Sequence, residues 1–163
     1  MFKIPKLKEL SFLVYGLGVT GNSVVKYFKK KKIKNFEVWD DKKKKLFKNH
    51  RSKNLYRSLS AVDFIILSPG ISLIRDKRLN KFKKKIITDI DLFFLTNKKS
   101  KSIVVTGTNG KSTTCKLLAH LLQKNKFNYS LGGNIGTPIL ELKNLKHGYT
   151  IIEASSFQLS HSK

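Results

Sequence analysis

The chain alternates short apolar runs with amphipathic or charged stretches, which is the pattern of an α/β protein built on parallel sheets. In the first part, four apolar runs predict strands, at residues 12–15, 36–39, 62–67 and 86–88. Helical periodicity occurs at residues 22–29 and 89–95. The charged stretch 42–60 is predicted to be helical, with a short strand near Leu55-Tyr56. Together these elements predict a Rossmann-like parallel-sheet domain.

The second part of the chain continues the alternation. Apolar runs predict strands at residues 103–105, 129–131 and 149–152, and a helical pattern extends from Cys115 to about Asn125. Between the two parts, the polar run 97–101 interrupts the periodicity, so we place a domain boundary there. The predicted domains are residues 1–97 and residues 98–163.

A glycine-rich turn at residues 107–110 lies between a predicted strand and a predicted helix. The backbone N–H groups of such a turn converge on phosphate at the N-terminus of the helix. Lys111 is placed to reach the β- and γ-phosphates of ATP, and Ser112 or Thr113 offers a hydroxyl to Mg²⁺. The spacing departs from G-x-x-x-x-G-K-[ST], because Val105 stands where the first glycine is usual. A plain turn with an incidental lysine is the alternative.

The phosphate-cradle residues are therefore Gly107, Thr108, Asn109, Gly110, Lys111, Ser112 and Thr113. Glu153 ends the predicted strand 149–152, where a nucleotide-bound Mg²⁺ takes its protein carboxylate. An ordinary solvent-facing carboxylate is the alternative for Glu153. Residues 132–136 contain three glycines, which implies close approach of the backbone to a ligand or unusual dihedral angles. Asn134, within that segment, is able to hydrogen-bond the ligand.

A second glycine motif, G-x-G-x-x-G at residues 16–21, follows the first predicted strand. Asp40 and Asp41 follow the next predicted strand. The sequence distance from Gly21 to Asp40 suits an acidic residue that hydrogen-bonds a ribose in dinucleotide-binding folds. This arrangement predicts a diphosphate site that fits UDP as well as NAD, so a nicotinamide-dependent dehydrogenase is an alternative function. Gly70, in the turn after strand 62–67, is placed either to contact the same ligand or to form a plain turn.

The charge and cysteine content change this picture little. The formal net charge of +24 raises the alternative of a nucleic-acid-binding module. Only four of the 34 basic residues are arginine, however, and arginine is the residue that direct base readout prefers. We therefore do not expect nucleic acid as a partner. The apolar run 12–17 is too short to span a membrane, so we expect no membrane partner either. The single cysteine, Cys115, and the absence of a signal-peptide pattern predict a cytoplasmic protein.

Six segments occur together in an order that resembles the Mur ligase family, whose nucleotide loop is similar to Gly-Thr-Asn-Gly-Lys-Ser-Thr. They are residues 16–21, 68–71, 89–93, 107–113, 133–136 and 153–159. The segment Ser-Ser-Phe-Gln-Leu at 155–159 points to the branch that adds D-glutamate to UDP-N-acetylmuramoyl-L-alanine in peptidoglycan synthesis, although that branch has Leu at the place of Ala154. The resemblance covers the whole chain and implies the first part of a P-loop-type central ATPase domain after residue 97.

The resemblance also implies residue roles. Lys111, Glu153 and Asn134 would act at the reaction centre, with ATP on the loop 107–113 and Mg²⁺ on Ser112, Thr113 and Glu153. The residues that would bind the UDP substrate are Val19, Thr20, Asp40, Asp41, Gly70 and Asn134. Family members often have an arginine directly after the acidic position. This chain has Lys42 there, so the resemblance does not extend to that contact.

The implied reaction is ATP-dependent formation of an acyl phosphate, followed by attack of the D-glutamate amine. Family members continue beyond the stretch that this chain resembles, with a second metal site and a domain that brings D-glutamate. We therefore expect the 163-residue chain alone to be an inactive, monomeric fragment, with residues after 100 only marginally stable.

Overall fold

A computed structural model describes residues 7–43, 46–97, 101–143, 145 and 147–162. Contacts divide the chain into two compact units, Met1–Asp89 and Ile90–Lys163. In both units the strands are parallel and alternate with helices, so the α/β prediction is confirmed. Among the described helices, none has the length and apolar character needed to cross a membrane.

The first unit is a four-stranded parallel sheet. Its strands are β1 (Phe12–Tyr15), β2 (Phe36–Trp39), β3 (Phe64–Leu67) and β4 (Ile86–Ile87), in the order β2-β1-β3-β4. The helices are α1 (Val19–Lys30) and α2 (Leu55–Ala61), with 3₁₀ segments at Lys48–His50 and Lys77–Lys85. All four residues of the central strand β1 are buried, as expected for a parallel strand covered on both faces.

Helix α1 packs one face against this sheet. Val24, Val25 and Phe28 on that face are fully buried, while the lysines of its last turn are exposed. The ring of Phe28 lies 4.9 Å from that of Phe12 and 5.3 Å from that of Phe36. This packing holds the N-terminus of α1 at the carboxyl end of β1, where the first glycine motif lies.

The prediction for residues 42–60 is partly wrong. Leu55 and Tyr56 do not form a strand but begin helix α2, because the Asn54 side chain accepts a hydrogen bond from Arg57 N at 3.1 Å and caps the helix. The segment that pairs with β2 is earlier, through a parallel bridge between Val38 and Arg51. The single long helix is replaced by a 3₁₀ turn and α2, while residues 44–45 lie outside the described ranges.

The second unit is a three-stranded parallel sheet. Its strands are β5 (Lys101–Val105), β6 (Tyr129–Gly133) and β7 (Tyr149–Glu153), in the order β5-β7-β6. Its helices are α3 (Asp89–Thr96), α4 (Lys111–Lys124) and α5 (Ser156–His161), with a 3₁₀ turn at Ile139–Glu141. The central strand β7 is buried from Thr150 to Glu153.

Helix α3 packs with the second unit. Its residues Ile90 and Phe93 form a buried cluster with Ile139, Ile152 and Ala154. The division between the units lies at the start of α3, whereas the predicted domain boundary lies after its end. Residues 98–100 at that predicted boundary are outside the described ranges, so the domain limits 1–97 and 98–163 stay a prediction.

Candidate functional site

The strand register of the second unit brings its predicted site residues to one edge of the sheet. Glu153, the last residue of β7, pairs with Val105 on one side and with Gly133 on the other. The glycine-rich turn follows Val105, and Asn134 follows Gly133. Parallel strands place their carboxyl ends at the same edge, so these three features lie together where α/β proteins bind ligands.

The glycine-rich turn has the backbone of an open phosphate cradle. Gly107 and Gly110 have φ of +143° and +74°, values that side chains rarely adopt, and helix α4 begins directly after Gly110. Residues 106–110 are all exposed. The amides of the first turn of α4 are thus open to an anion, and the helix dipole favours negative charge there.

Lys111 lies folded over this turn. Its Nζ donates hydrogen bonds to Gly107 O at 2.7 Å and to Thr108 O at 3.1 Å. The ammonium group is therefore held above the backbone that would surround a phosphate.

Ser112 and Glu153 form the second feature of this edge. Ser112 Oγ donates to Glu153 Oε2 at 2.7 Å, and only 4% of Glu153 is exposed. A hydroxyl and a carboxylate are hard oxygen ligands of the kind that Mg²⁺ takes, with phosphates and water completing its coordination. The chemistry of this pair therefore fits Mg²⁺. Thr113 is exposed, so Ser112 is the hydroxyl that the structure brings to Glu153.

No group of three or more His, Cys, Asp or Glu side chains with metal-site geometry occurs among the described residues. Cys115 lies on helix α4, in the turn that also contains Ser112. Burial, and to a lesser extent the charge of Glu153, raise the pKa of its thiol. Cys115 packs with Ala119 and Ile151 in a buried cluster. Cys115 is thus a packing residue of helix α4.

Asn134 is tied to the same edge through its backbone. Asn134 N donates to Glu153 O at 2.9 Å, and Gly133 N donates to Thr137 O at 2.9 Å. A Cβ on Gly133 would lie 2.3 Å from Glu153 O, so the close approach of the two strand ends requires glycine. The side chain of Asn134 is exposed beside Glu153.

The first unit has an equivalent edge. Tyr15, the last residue of β1, pairs with Trp39 of β2 and with Leu67 of β3. The glycine motif, the Asp40-Asp41 pair and the turn at Ser68–Gly70 therefore follow three aligned strand ends. Ser68 Oγ donates to Gly16 O at 2.8 Å and joins the turn to the glycine motif.

The three glycines of the motif have different structural roles. A Cβ on Gly21 would lie 1.8 Å from Gly16 O, and one on Gly16 would lie 2.7 Å from the side chain of Ile71. Gly18 is different, because no described atom beyond its two chain neighbours lies within 4 Å of its Cβ position, and the same holds for Gly70. Gly18 and Gly70 thus leave open space that a ligand is able to approach.

Val19 and Thr20 begin helix α1, and the side chain of Val19 is 76% exposed. Asp40 faces the glycine motif. Its carboxylate accepts from Leu17 N at 2.6 Å and from the amides of Lys43 and Lys42 at 2.8 and 2.9 Å. Burial opposes ionisation, but these amides outweigh it and hold the pKa of Asp40 below its usual range.

Asp41 belongs to a network that sequence reasoning missed. Arg78 donates to both oxygens of Asp41, at 2.7 and 3.1 Å, and also contacts Tyr15 and Asp76. The Arg78 hydrogen bonds lower the pKa of Asp41 to about 2. Burial and Asp76 raise the pKa of Tyr15. Arg78 is one of two arginines, with Arg75, in a stretch otherwise rich in lysine, and nothing in the sequence specified its partners.

A groove of about 920 Å³ lies elsewhere on the first unit, at the amino ends of β1 and β2. Its basic lining residues are Lys34, Arg51, Lys53 and Arg57, four of 16. Lys and Arg make up about the same proportion of the whole chain, 34 of 163 residues. The basic lining therefore reflects composition and does not indicate a ligand.

Two protein-family models match the regions that contain these edges. The model described as "Mur ligase MurD-like, N-terminal domain" matches residues 10–90, and the one described as "Mur ligase middle domain" matches residues 105–163. The first range contains the glycine motif with Asp40, Asp41 and Arg78. The second contains the phosphate cradle, Asn134 and Glu153.

Curated proteins named UDP-N-acetylmuramoylalanine--D-glutamate ligase are similar to the chain. Identity is 43% over 161 residues for the Rickettsia prowazekii protein, 39% over 157 for that of Buchnera aphidicola, and 36% over 163 for that of Francisella tularensis. The alignments cover 93%, 90% and 97% of this chain, and 36%, 35% and 36% of the relatives. The chain thus spans about a third of the length of the curated relatives it matches.

Proposed function

Because the chain belongs to the Mur ligase family, we propose that it serves the ATP-dependent addition of D-glutamate to UDP-N-acetylmuramoyl-L-alanine in peptidoglycan synthesis. The names of its relatives support the substrates, and the two strand edges support two binding sites. The observation that carries the proposal is the Lys111, Ser112 and Glu153 arrangement at the N-terminus of α4. A cytoplasmic location and a monomeric state are part of the proposal.

The second unit would bind ATP. The amides of residues 107–112 surround the β- and γ-phosphates, and Lys111 moves from the loop carbonyls to the phosphate oxygens. Ser112 and Glu153 would hold Mg²⁺, which supplies charge neutralisation for the transferring phosphoryl group. Thr113 is a further hydroxyl near this site and stays a proposed ligand.

The proposed reaction has two steps. An oxygen of the alanyl carboxylate attacks the γ-phosphorus of ATP, so that ADP leaves and an acyl phosphate forms. The amine of D-glutamate then attacks the acyl carbon, the C–O bond to phosphate breaks, and the amine loses a proton. Lys111 offsets the charge that accumulates on the γ-phosphoryl oxygens. Asn134, beside Glu153, would hydrogen-bond the substrate near the reacting carboxylate.

The first unit would bind the UDP part of the substrate. The open position of Gly18 and the N-terminus of α1, with the exposed Val19 and the half-buried Thr20, fit a diphosphate. Gly70 leaves a second open approach from the neighbouring turn. Asp40 and Asp41 lie at the adjoining strand end, where the nucleoside would be placed.

Substitution of Lys111 tests the proposal. We expect Lys111→Ala to weaken MgATP binding by at least about tenfold, because one charge-assisted contact to phosphate is lost. Lys116→Ala, at an exposed position of the same helix, is the matched control and should bind MgATP like the parent. Calorimetric titration measures both affinities, and the affinity for UDP should be the same in all three proteins. Equal MgATP affinity in Lys111→Ala and the parent would contradict the proposed ATP site.

A further inference from the structure

Arg78 joins parts of the first unit that are distant in sequence. It lies in the 3₁₀ segment Lys77–Lys85, which follows the turn at the end of β3. Its guanidinium contacts Asp41, 37 residues away, and Tyr15, 63 residues away. Tyr15 is the last residue of β1, and Asp41 follows the end of β2. Arg78 therefore connects the three strand ends that form the proposed UDP-substrate edge.

The contacts of Arg78 use the geometry of its planar group. Nη1 and Nη2 donate to the two oxygens of Asp41 at 3.1 and 2.7 Å, which is a bidentate pair. Nε and Nη2 donate to the two oxygens of Asp76 at 2.8 and 2.9 Å. The guanidinium also lies 5.7 Å from the centre of the Tyr15 ring. A lysine at this position would carry the charge but would lack the fork.

These contacts use the acceptor capacity of Asp41. Oδ1 accepts from Arg78 and from Trp39 Nε1 at 3.0 Å, and Oδ2 accepts from Arg78. The Tyr15 hydroxyl lies 3.3 Å from Oδ2, but its single proton goes to Asp76 Oδ2 at 2.5 Å. A carboxylate offers about four lone-pair sites, and these three bonds occupy most of them. In this arrangement Asp41 is chiefly a partner of protein groups, and little acceptor capacity is left for a ligand.

Stability alone does not account for the network. The Arg78 and Asp41 side chains are 47% and 50% exposed, and exposed ion pairs contribute little to the free energy of unfolding. What the network does fix is the direction of the Trp39 indole and of the Asp41 carboxylate at the end of β2. It also holds Asp76, and with it the segment after β3, against the end of β1.

We propose that Arg78 is a positioning residue of the UDP-substrate site, which acts through Asp41 to hold the ends of β1, β2 and the segment after β3 in the ligand-binding arrangement. This inference rests on the proposed function, because it assumes that UDP binds at this edge. It assigns Asp41 an indirect role, in which the carboxylate orders the site and the glycine motif contacts the diphosphate.

The test uses the 163-residue chain with UDP as the probe. The variants are Arg78→Ala, Arg78→Lys, Asp41→Asn and the double variant Arg78→Ala/Asp41→Asn. Arg75→Ala, a change at an exposed arginine two residues before that segment, is the matched control. UDP affinity is measured by calorimetry. The indole N–H resonance of Trp39, the single tryptophan, reports the hydrogen bond to Asp41 in each variant without ligand.

We expect Arg78→Ala to weaken UDP binding about tenfold and to shift the Trp39 indole resonance, with Arg75→Ala like the parent on both measurements. Arg78→Lys should restore little of the affinity, because the bidentate geometry is missing. The double variant should bind UDP about as weakly as Asp41→Asn, because Arg78 acts through Asp41. A role as a bulk positive charge predicts instead that Arg78→Lys binds UDP like the parent, and that result would overturn the inference.

The possible failures are distinguishable. If the parent does not bind UDP, the proposed function of the first unit is wrong and the inference fails with it. If the parent binds UDP and Arg78→Ala binds it equally well, only the inference fails. If Arg78→Ala does not fold, Arg78→Lys and Asp41→Asn decide: a similar loss of affinity in both supports the inference, and parent-like affinity in both overturns it.

Discussion

At the scale of single residues, the two open glycines and the two packed glycines of the first unit separate ligand binding from folding. A Cβ on Gly18 meets no described atom within 4 Å beyond its two chain neighbours, whereas one on Gly21 would lie 1.8 Å from Gly16 O. We expect Gly18→Val to lose UDP binding while the unit stays folded. Gly21→Ala should instead lower the free energy of unfolding by at least about 2 kcal/mol, because the backbone contact must open.

Calorimetry with UDP and urea unfolding of both variants measure these effects. The prediction depends on the contrast between the two positions. If Gly18→Val binds UDP with parent affinity in a folded protein, the glycine motif has a structural role only.

Asp41 gives a pH prediction at the same scale. Its folded pKa of about 2 lies below the ordinary value of 3.8, chiefly because Arg78 donates to it. The Asp41 carboxylate therefore adds stability that is complete above the unfolded pKa and is lost as the pH falls from 3.8 towards about 2. Since half of the side chain is exposed, the effect should stay below about 1 kcal/mol.

The measurement is the free energy of unfolding of the parent and of Asp41→Asn across this acidic range, followed by Trp39 fluorescence. The difference between the two proteins should shrink as the pH falls. A difference that stays constant would show that the charge of Asp41 is not what stabilises the folded state.

Sequence reasoning found the residues that motifs define and missed those that the fold brings together. Lys111, Ser112 and Glu153 follow predicted strands, so the parallel-sheet rule was enough to place them at one edge. Arg78, Tyr15 and Asp76 follow no motif. Their meeting with Asp41 depends on the path of the chain after β3, which local patterns do not encode.

At the scale of elements, helix α3 shows how packing defines a unit. Its Phe93 is buried with Ile139 and Ile152, while the neighbouring Phe94 is 37% exposed. We expect Phe93→Ala to lower the free energy of unfolding of the second unit by about 3–5 kcal/mol, because it leaves a cavity in this cluster. Phe94→Ala is the matched control and should cost much less. Hydrogen exchange of the β7 amides measures the effect, and equal exchange in the two variants would contradict the assignment of α3 to this unit.

The strands and most helices were predictable because continuous apolar runs and helical periodicity are strong local signals. The strand predicted near Leu55-Tyr56 was wrong, because the cap of Asn54 started a helix on a short apolar pair. The sheet order β2-β1-β3-β4 and the central place of β7 depend on how the connections cross from strand to strand. The apolar pattern along the chain does not contain this information.

At the scale of the whole molecule, the charge and the sites point to the same class of ligand. The formal net charge of +24 attracts anions generally, while the glycine motif and the phosphate cradle each offer a helix N-terminus to phosphate. The general attraction falls with added salt, whereas binding at a formed site depends on particular residues. The contrast between Gly18→Val and the parent separates the two contributions.

The central claim is that the first unit recognises a UDP-linked precursor of peptidoglycan. It is tested most directly by titrating the chain with UDP-N-acetylmuramoyl-L-alanine and, separately, with NAD, and following the fluorescence of Trp39 beside Asp41. The account predicts a saturable change with the UDP precursor that is absent in Gly18→Val, and no saturable change with NAD. A saturable change with NAD and none with the UDP precursor would contradict it.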